Sequence, residues 1–387
     1  MQTGKRLWAL TCCMLMIFLP TAQAAQPLES GTPMTLTTPS AILAETATGI
    51  VIFEKNADER REVASITKLM TALLVLEALD RDEIALTDSV QISPRAAAMK
   101  GSQALLDASA VYPLEDLLRT TIMASANDSA VALSEYIAGS EENFVDRMNR
   151  RAAELGMTNT NYVNCTGYPQ SGQYTTARDV CRLCCEIAKH PRYNQYASVW
   201  IDKLTHPGGR VTDLTNTNRL VRFYEGCDGY KTGSTDAAKY CLAATAEKNG
   251  MRLVAIVLGT PVSQTRFNEA RQMLDYGFAT YRRVVIANKG DLLGQNVEVR
   301  GGSAERVPLA LGSGLSMLLK NGQQSGLSLS VQLPESVDAP IVQGDVIGLV
   351  DVLLDGQVIA KLNCVAAEDV PRPGFIEGLL RILRNWR

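Results

Sequence analysis

One apolar segment, ASITKLMTALLVLEAL at residues 64–79, limits the folds open to this chain more than any other feature. Its apolar residues recur at intervals of three and four, which is the period of a helix packed around most of its circumference. Such a helix needs a core on nearly every side, so the segment predicts a large domain built around it. The apolar positions are Leu69, Met70, Leu73, Leu74, Leu76 and Leu79.

Two polar residues, Ser65 and Lys68, stand at the start of this helix. Positions i and i+3 share one face of a helix, so the hydroxyl and the amine are predicted neighbours. Taken alone, the pair has an ordinary interpretation, in which Ser65 caps the helix and Lys68 extends its ammonium to water. The alternative is a reactive pair, and the remaining sequence has to decide between the two.

The N-terminus has the pattern of a secretory signal peptide. Lys5 and Arg6 precede an apolar run at 7–19, and Ala22-Gln23-Ala24 is a small-x-small cleavage pattern. We therefore expect residues 1–24 to be removed and the protein to be exported to the cell envelope, at the outer face of the cytoplasmic membrane or secreted. An uncleaved anchor is the alternative, although the apolar run is short for a bilayer span.

Charge and cysteine content exclude several functions. Removal of residues 1–24 takes the formal net charge from −3 to −5, which argues against a nucleic-acid partner. The C-x-x-C at Cys181 lies on a predicted helical core stripe, so buried thiols are favoured over a metal or redox site. With only His190 and His206 in the chain, we expect no zinc site and no cofactor. Both histidines lie in loop-like sequence beside proline, so a Ser-His-Asp triad is not expected either.

The mature chain divides into segments of different composition. Residues 25–40 are rich in Thr, Pro, Ser and Gly and are interpreted as a linker. Residues 41–282 form the predicted catalytic domain: a hairpin of strands 41–45 and 50–54, mainly helical sequence to about residue 156, and later strands. The predicted elements are helices at 65–80, 114–124, 127–138 and 142–155, a strand in TDLTNTNRLV, a strand pair at 240–246 and 252–258, and a final helix ending near Tyr281.

A second, all-β domain is predicted at residues 283–370, where short Val- and Leu-rich units alternate with Gly and Asp-Gly turns. The tail, residues 371–387, has the pattern of a basic amphipathic helix with an interfacial tryptophan, Trp386. Such a helix suits a membrane surface, and docking on its own protein is the alternative.

Two further motifs follow the Ser65–Lys68 pair in order. Ser125-Ala126-Asn127 lies between two predicted helices, where its side chains project into a cleft or, in the ordinary interpretation, cap the next helix through Asn127 or Asp128. Lys231-Thr232-Gly233 opens a predicted strand, with a lysine to meet an anionic group and a glycine to let substrate approach the backbone, unless it is a surface turn. A lysine whose charge is disfavoured can replace histidine as the base for a serine.

Together, Ser-x-x-Lys, Ser-x-Asn and Lys-Thr-Gly are the motif set of penicillin-recognising serine enzymes. The chain strongly resembles the D-alanyl-D-alanine carboxypeptidases of the low-molecular-mass penicillin-binding proteins, the S11 peptidases. The resemblance covers nearly all of the mature chain. It departs from the family at Thr166-Gly167-Tyr168, where many relatives carry His-Gly-Leu. It implies an α/β (α+β) β-lactamase/transpeptidase-like domain, with an antiparallel sheet flanked by helices, followed by the all-β domain.

The resemblance also implies the roles of individual residues. Ser65 would be the acylated nucleophile, Lys68 its general base, Ser125 a proton relay and Asn127 a positioning group for the substrate amide. The Lys231-Thr232-Gly233-Ser234 strand would bind substrate, with Lys231 and Thr232 holding its terminal carboxylate. The backbone N–H groups of Ser65 and Ser234 would form the oxyanion hole. The expected substrates are peptidoglycan stem peptides ending in D-Ala-D-Ala, and β-lactams are the expected inhibitors.

Two rival functions stay open at this point. A class A-like β-lactamase has the same motifs but needs a glutamate to activate the deacylating water. Between the second and third motifs Glu154 is considered for this role, but its sequence context favours an ordinary helix residue, so no such glutamate is placed. The other rival is a catalytically idle peptidoglycan-binding protein that keeps the pocket.

Overall fold

The computed structural model describes residues 34–374. The predicted signal peptide and most of the tail therefore lie outside the described residues. The first nine strands are β1 (Ser40–Glu45), β2 (Val51–Lys55), β3 (Ser89–Gln91), β4 (Val111–Pro113), β5 (Ile201–Thr205), β6 (Val211–Thr215), β7 (Cys227–Thr235), β8 (Lys239–Lys248) and β9 (Met251–Thr260). The helices are α1 (Lys68–Asp80), α2 (Pro94–Ala97), α3 (Leu114–Met123), α4 (Asn127–Ala138), α5 (Glu141–Glu154), α6 (Ala177–Ile187), α7 (Pro191–Ala197), α8 (Leu220–Phe223) and α9 (Ser263–Thr280).

An antiparallel sheet in the order β2-β1-β9-β8-β7 organises the catalytic region. Side chains alternate between the two faces of a strand, so each strand serves two cores. On β1, Ile42 and Ala44 pack into the core that contains α1, whereas Ala41 and Leu43 pack into the core beneath α9. A sheet covered by helices on both faces explains why all six residues of β1 are buried.

Helix α1 is buried as its sequence predicts: of its thirteen residues, only Glu77 and Asp80 are not buried. The predicted helices at 114–124, 127–138 and 142–155 and the strand pairs are confirmed to within a few residues at their ends. The seven cysteines of the described residues are free thiols, and all but Cys185 are buried, as the helical stripe predicts for Cys181 and Cys184.

Residues 36–40 differ from their interpretation as part of a linker. Leu36, Thr38 and Ser40 are buried. The carboxylate of Glu269 on α9 accepts hydrogen bonds from Thr37 N at 2.6 Å, Thr37 Oγ1 at 2.7 Å and Thr38 N at 3.1 Å. Local composition predicted a linker. The contacts that order these residues join positions more than 200 apart in the chain, and a local sequence pattern does not record them.

The strand predicted in TDLTNTNRLV is confirmed only in its first four residues, TDLT. Strand β6 ends at Thr215, and the following residues turn into α8. Asn216 Oδ1 accepts from Asn218 N at 2.9 Å, and Asn218 Oδ1 accepts from Leu220 N at 3.1 Å. Asparagine side chains that bond nearby backbone N–H groups favour turns over a continued ladder.

Replacing Glu269 with alanine is expected to lower the thermal midpoint by about 4–8 °C, because it removes the charged acceptor of the buried Thr38 N–H and of the partly buried Thr37 N–H and hydroxyl, at a cost of about 2–3 kcal/mol. Thermal unfolding by circular dichroism measures the shift, and Glu62→Ala, at an exposed glutamate, is the control. An unchanged midpoint for Glu269→Ala would show that residues 36–38 contribute little to stability.

The C-terminal region is built only of strands and one short 3-10 turn, Gln323–Gly326, within the described residues. A six-stranded sheet in the order β14-β16-β17-β12-β11-β15 holds its own core, and β10 pairs with β13. The strands are β10 (Tyr281–Ala287), β11 (Leu292–Arg300), β12 (Arg306–Leu311), β13 (Leu315–Lys320), β14 (Leu327–Gln332), β15 (Ser336–Asp338), β16 (Val346–Leu354) and β17 (Gln357–Ala366). Among residues 34–374, no helix combines the length and hydrophobicity that a membrane span requires.

Candidate active site

Lys68 lies at the centre of the predicted constellation, 1% exposed. Its Nζ is 3.1 Å from Ser65 Oγ, 2.6 Å from Asn127 Oδ1 and 2.7 Å from the carbonyl oxygen of Thr166. The lysine therefore does not extend to water. Nor does Ser65 cap α1, because the N-cap of that helix is Thr67 and no side chain bonds there. The ordinary interpretation of the pair is wrong.

The environment of Lys68 favours its neutral form. Burial lowers the pKa of Lys68 to about 7, although the negative potential of Cys165 and Asp128 opposes part of that shift. Near neutral pH a large fraction of the amine is then unprotonated and able to accept a proton. Its neighbour at 3.1 Å is the hydroxyl of Ser65, so the pair has the geometry of a nucleophile with its base.

Ser65 sits on a 3-10 turn, Ala64–Thr67, that is held between two glycines. A Cβ on Gly233 of β7 would lie 2.3 Å from Val63 O. A Cβ on Gly167, whose φ is +78°, would lie 1.9 Å from Ala64 O. Both distances are far below van der Waals contact, so only glycine permits this approach. Gly233 therefore also brings β7 against the turn that carries Ser65.

Replacing Gly233 with alanine is expected to destabilise the protein by about 1–3 kcal/mol and to slow acylation about 100-fold, because the turn must move away from β7. Stopped-flow acylation by a fluorescent penicillin and thermal unfolding measure the two effects. Gly374→Ala is the control, since a Cβ there meets nothing within 4 Å. Wild-type rates in Gly233→Ala would contradict the close-packing role.

The second motif forms the loop between α3 and α4. Ser125 is 4% exposed, and its φ of +63° is unusual for a residue other than glycine. Such strained conformations concentrate at functional sites. Asn127 does not cap α4, because the N-cap is Ala126 and receives no side-chain bond. Instead, Asn127 Oδ1 accepts from Lys68, and its Nδ2 donates to Lys100 O at 2.5 Å. The capping interpretation is therefore wrong for Asn127.

Asp128 does not cap the helix either, and it supports the wall of the site. Its carboxylate is fully buried and accepts from Ala104 N at 2.9 Å and Leu106 N at 3.1 Å. These bonds tie the loop before β4 to the start of α4. Asp128 also supplies negative charge near Lys68. From the sequence, Asp128 was predicted only as a possible helix cap.

The third motif lies on β7 and faces the same constellation. Lys231 is 1% exposed, and burial, followed by the positive charges of Lys68 and Arg266, lowers its pKa well below the usual value. Its Nζ donates to Thr232 O at 3.0 Å. Thr232 Oγ1 donates to Thr217 Oγ1 at 2.7 Å, and Ser234 is exposed. A buried amine of this kind is most stable in its charged form when an anion lies beside it, so Lys231 is suited to receive one.

Arg266 on α9 is a member of the site that the sequence analysis missed. It is 8% exposed, its Nη1 donates to Gly233 O at 3.1 Å, and burial lowers its pKa to about 10. A signal was present in the sequence, because Arg266 occupies the buried stripe that continues through Phe267, Ala270 and Met273. A charged residue on an apolar stripe needs a partner, and Arg266 places a positive charge next to Lys231 at this end of the site.

Neither histidine bonds to Ser65. His190 Nδ1 lies 2.7 Å from Asp80 Oδ2, and His206 Nδ1 lies 2.8 Å from the Tyr112 hydroxyl.

One group of described residues, Glu77, Glu186 and His190, has donor atoms within 4.8 Å of one another. Arg151 already donates to both of those carboxylates, at 2.8 and 3.1 Å.

Comparison with known proteins identifies the family of this chain. A family model described as D-alanyl-D-alanine carboxypeptidase, of the S11 peptidases, matches residues 23–262, which is more than half of the chain. The chain belongs to the S11 family of D-alanyl-D-alanine carboxypeptidases. As an S11 enzyme it is a hydrolase, a peptidase of the penicillin-binding serine type. A second model, the C-terminal domain of penicillin-binding protein 5, matches residues 281–372.

Individual relatives of this S11 carboxypeptidase span most of its length. It is 36% identical to D-alanyl-D-alanine carboxypeptidase DacF of Bacillus subtilis, over 96% of each chain. It is 34% identical to DacC of Escherichia coli, over 93% of this chain and 90% of that one. The structure of penicillin binding protein 5 from Haemophilus influenzae matches with a TM-score of 0.76 at 30% identity, covering 89% of this chain and all of that one. The predicted fold class is confirmed.

Proposed function

We propose that this S11 carboxypeptidase removes the terminal D-alanine from peptidoglycan stem peptides through an acyl-enzyme on Ser65. The observation that carries the proposal is the buried Lys68, with a pKa near 7 and its Nζ 3.1 Å from Ser65 Oγ. A neutral amine at that distance takes the hydroxyl proton as the oxygen attacks the carbonyl of the penultimate D-alanine.

The leaving end of the substrate lies against the positive part of the site. The terminal carboxylate binds at Lys231 and Thr232, and Arg266 adds a further positive charge behind β7. That anion compensates the buried ammonium of Lys231, which explains why an isolated lysine is placed there. A substrate without a free terminal carboxylate leaves this charge unpaired and binds poorly.

The remaining motif residues act on the reacting groups. Asn127, fixed by Lys68 and by the carbonyl of Lys100, positions the substrate amide. Ser125 carries the proton to the departing amine. The N–H groups of Ser65 and Ser234 form the oxyanion hole, whose width is set by the contact of Gly233 with residues 63–66. Water then hydrolyses the ester. A β-lactam acylates Ser65 by the same attack but releases no fragment, so it inhibits.

The direct test is release of D-alanine from diacetyl-L-Lys-D-Ala-D-Ala by residues 25–387. We expect release from this peptide and at least about 100-fold less from the same peptide ending in D-Ala-L-Ala, because the carboxylate then points away from Lys231. No release, together with rapid penicillin turnover, would favour the β-lactamase. No release and a stable fold without penicillin labelling would favour an idle binder.

The β-lactamase alternative lacks structural support. Glu154, its candidate glutamate, pairs with Arg151 at 3.1 Å and has a side chain that is 62% exposed. Among the described contacts, none joins Glu154 to Ser65 or Lys68. A deacylating water therefore has no positioned glutamate at that residue.

We further propose that the protein is exported and held at the outer face of the cytoplasmic membrane by its tail. The support is the signal-peptide pattern at residues 1–24 and the basic amphipathic pattern of 371–387. Deletion of residues 373–387 is expected to move the mature protein from the membrane fraction to the soluble fraction, with D-alanine release retained. Unchanged fractionation would reject the anchor and favour a tail docked on its own protein.

A further inference from the structure

A cleft of about 480 Å³ lies beside the carboxylate end of the proposed active site. Its lining residues are Trp200, Thr215, Asn216, Thr217, Arg219, Ser263 and Arg266. Thr217 connects the cleft to β7, since its hydroxyl accepts from Thr232 Oγ1 at 2.7 Å. A group bound at Thr232 therefore lies at the mouth of this cleft. None of the motif residues lines it.

Two donors in the walls of the cleft have no hydrogen-bond partner in the structure. They are Nε of Arg266, a residue that is 8% exposed, and the indole Nε1 of Trp200. Buried donors are nearly always paired, so this wall of the cleft holds donors in excess of acceptors. The frame that holds them is fixed, because Asn216 donates to the carbonyls of Ala197 and Val199 at 2.8 and 2.9 Å.

The charge of the cleft specifies the ligand further. Arg219 and Arg266 both line it, and among the described residues no aspartate or glutamate does. Burial lowers the pKa of Arg266, and the positive charge of Arg219 lowers it further. The two guanidinium groups therefore repel one another. A terminal carboxylate at Lys231 and Thr232 lies next to Arg266, whose Nη1 donates to the neighbouring Gly233 O at 3.1 Å. Arg219 is then left to receive a second negative group.

We propose that this cleft is a subsite for the side chain of the departing D-residue and accepts an acidic side chain such as that of D-glutamate. The inference rests on the proposed function, because Thr232 must hold the α-carboxylate of that residue. The side chain branches from the carbon that bears this carboxylate, so it enters the cleft at Thr217 and reaches Arg219. The enzyme thereby accepts stem peptides ending in an acidic D-residue besides those ending in D-alanine.

The chemical step is unchanged by the larger leaving group. Ser65 Oγ forms an ester with the carbonyl carbon, the amide C–N bond breaks, and the amine of the departing D-residue takes the proton. Water then hydrolyses the ester and regenerates the hydroxyl. The cleft contributes only binding of the group that leaves.

The test compares three peptides of the form diacetyl-L-Lys-D-Ala-D-X, where X is alanine, glutamate or leucine. For the native protein we expect kcat/KM for D-Glu to lie within about fivefold of that for D-Ala and to exceed that for D-Leu. Arg219→Ala is expected to lower kcat/KM for D-Glu about five- to tenfold and to leave D-Ala unchanged. Arg219→Lys should restore part of the loss. Arg306→Ala, at an exposed arginine of β12 outside the cleft, is the matched control.

The outcomes separate the inference from the function on which it rests. Equal losses for D-Ala and D-Glu in Arg219→Ala would overturn the inference, because Arg219 would then act on the shared α-carboxylate or on the fold. Hydrolysis of D-Glu no faster than D-Leu by the native protein would also overturn it. Absence of hydrolysis for all three peptides would instead reject the proposed function, and the inference would fall with it.

Discussion

Replacing Ser65 with alanine is expected to abolish both D-alanine release and covalent labelling by penicillin. Removal of the nucleophile from a serine hydrolase lowers kcat by several powers of ten, so we expect a loss of at least about 10⁴-fold. The fold should survive, because Ser65 is only partly buried and its one described side-chain bond is the 3.1 Å contact with Lys68. The free energy of unfolding should change by less than about 1 kcal/mol.

The measurement follows D-alanine release and gel fluorescence with a labelled penicillin, and it records the thermal midpoint of each protein. Ser198→Ala, at an exposed serine, is the matched control and should behave as the native protein. Labelling that persists in Ser65→Ala with a normal midpoint would place the nucleophile at another residue. Loss of labelling with a collapsed midpoint would show instead that Ser65 is needed for folding.

The rate of acylation is expected to rise with pH and to level off above a midpoint near 7. Lys68 must be neutral to accept the proton of Ser65, and burial lowers its pKa to about 7. Below that value, each pH unit lowers the neutral fraction about tenfold, so the rate falls in proportion. Above it, nearly all of the amine is neutral and the rate becomes constant. Pre-steady-state acylation by penicillin between pH 5 and 9 measures the profile.

Replacing Lys68 with methionine should remove this rising limb and slow acylation by about 10²–10⁴-fold, the range for loss of a general base. Methionine has a similar length and introduces no buried charge, but it leaves the buried Asn127 Oδ1 and Thr166 O without their donor, so the thermal midpoint should fall by a few degrees. Lys203→Met, at a side chain that is 69% exposed, is the control. A profile in Lys68→Met with the native midpoint and rate would assign the base to another group.

Local patterns were sufficient for much of the fold and for the three motifs. Helix α1, the helices around it and the β8–β9 hairpin follow from apolar spacing and turn residues that lie within one segment. The proximity of Ser65 and Lys68 also follows from their spacing on one helical face. The contact between Lys68 and Asn127, which lies 59 positions later, was expected only from the resemblance to a family. In the structure, Lys68 Nζ lies 2.6 Å from Asn127 Oδ1.

Other features depend on contacts that no local pattern records. The protonation state of Lys68 follows only from its burial. On a surface, the same four residues would form a helix cap and a solvated lysine. Arg266 joins the site because α9 packs beside β7, and residues 36–38 are ordered by a carboxylate far along the chain. The packing role of Gly233 was not predicted, because a strand glycine has two uses, approach of a ligand or approach of another backbone.

The position of the turn at residues 64–67 is set by main-chain atoms on both sides, through Gly167 and Gly233. Side chains elsewhere around the groove can therefore vary in size and charge without displacing the hydroxyl of Ser65. In a saturation-mutagenesis library scored for penicillin labelling, these two glycines should tolerate no substitution, whereas the rim should accept many. An S11 enzyme built in this way can change which peptides or drugs it admits while its reaction centre stays fixed.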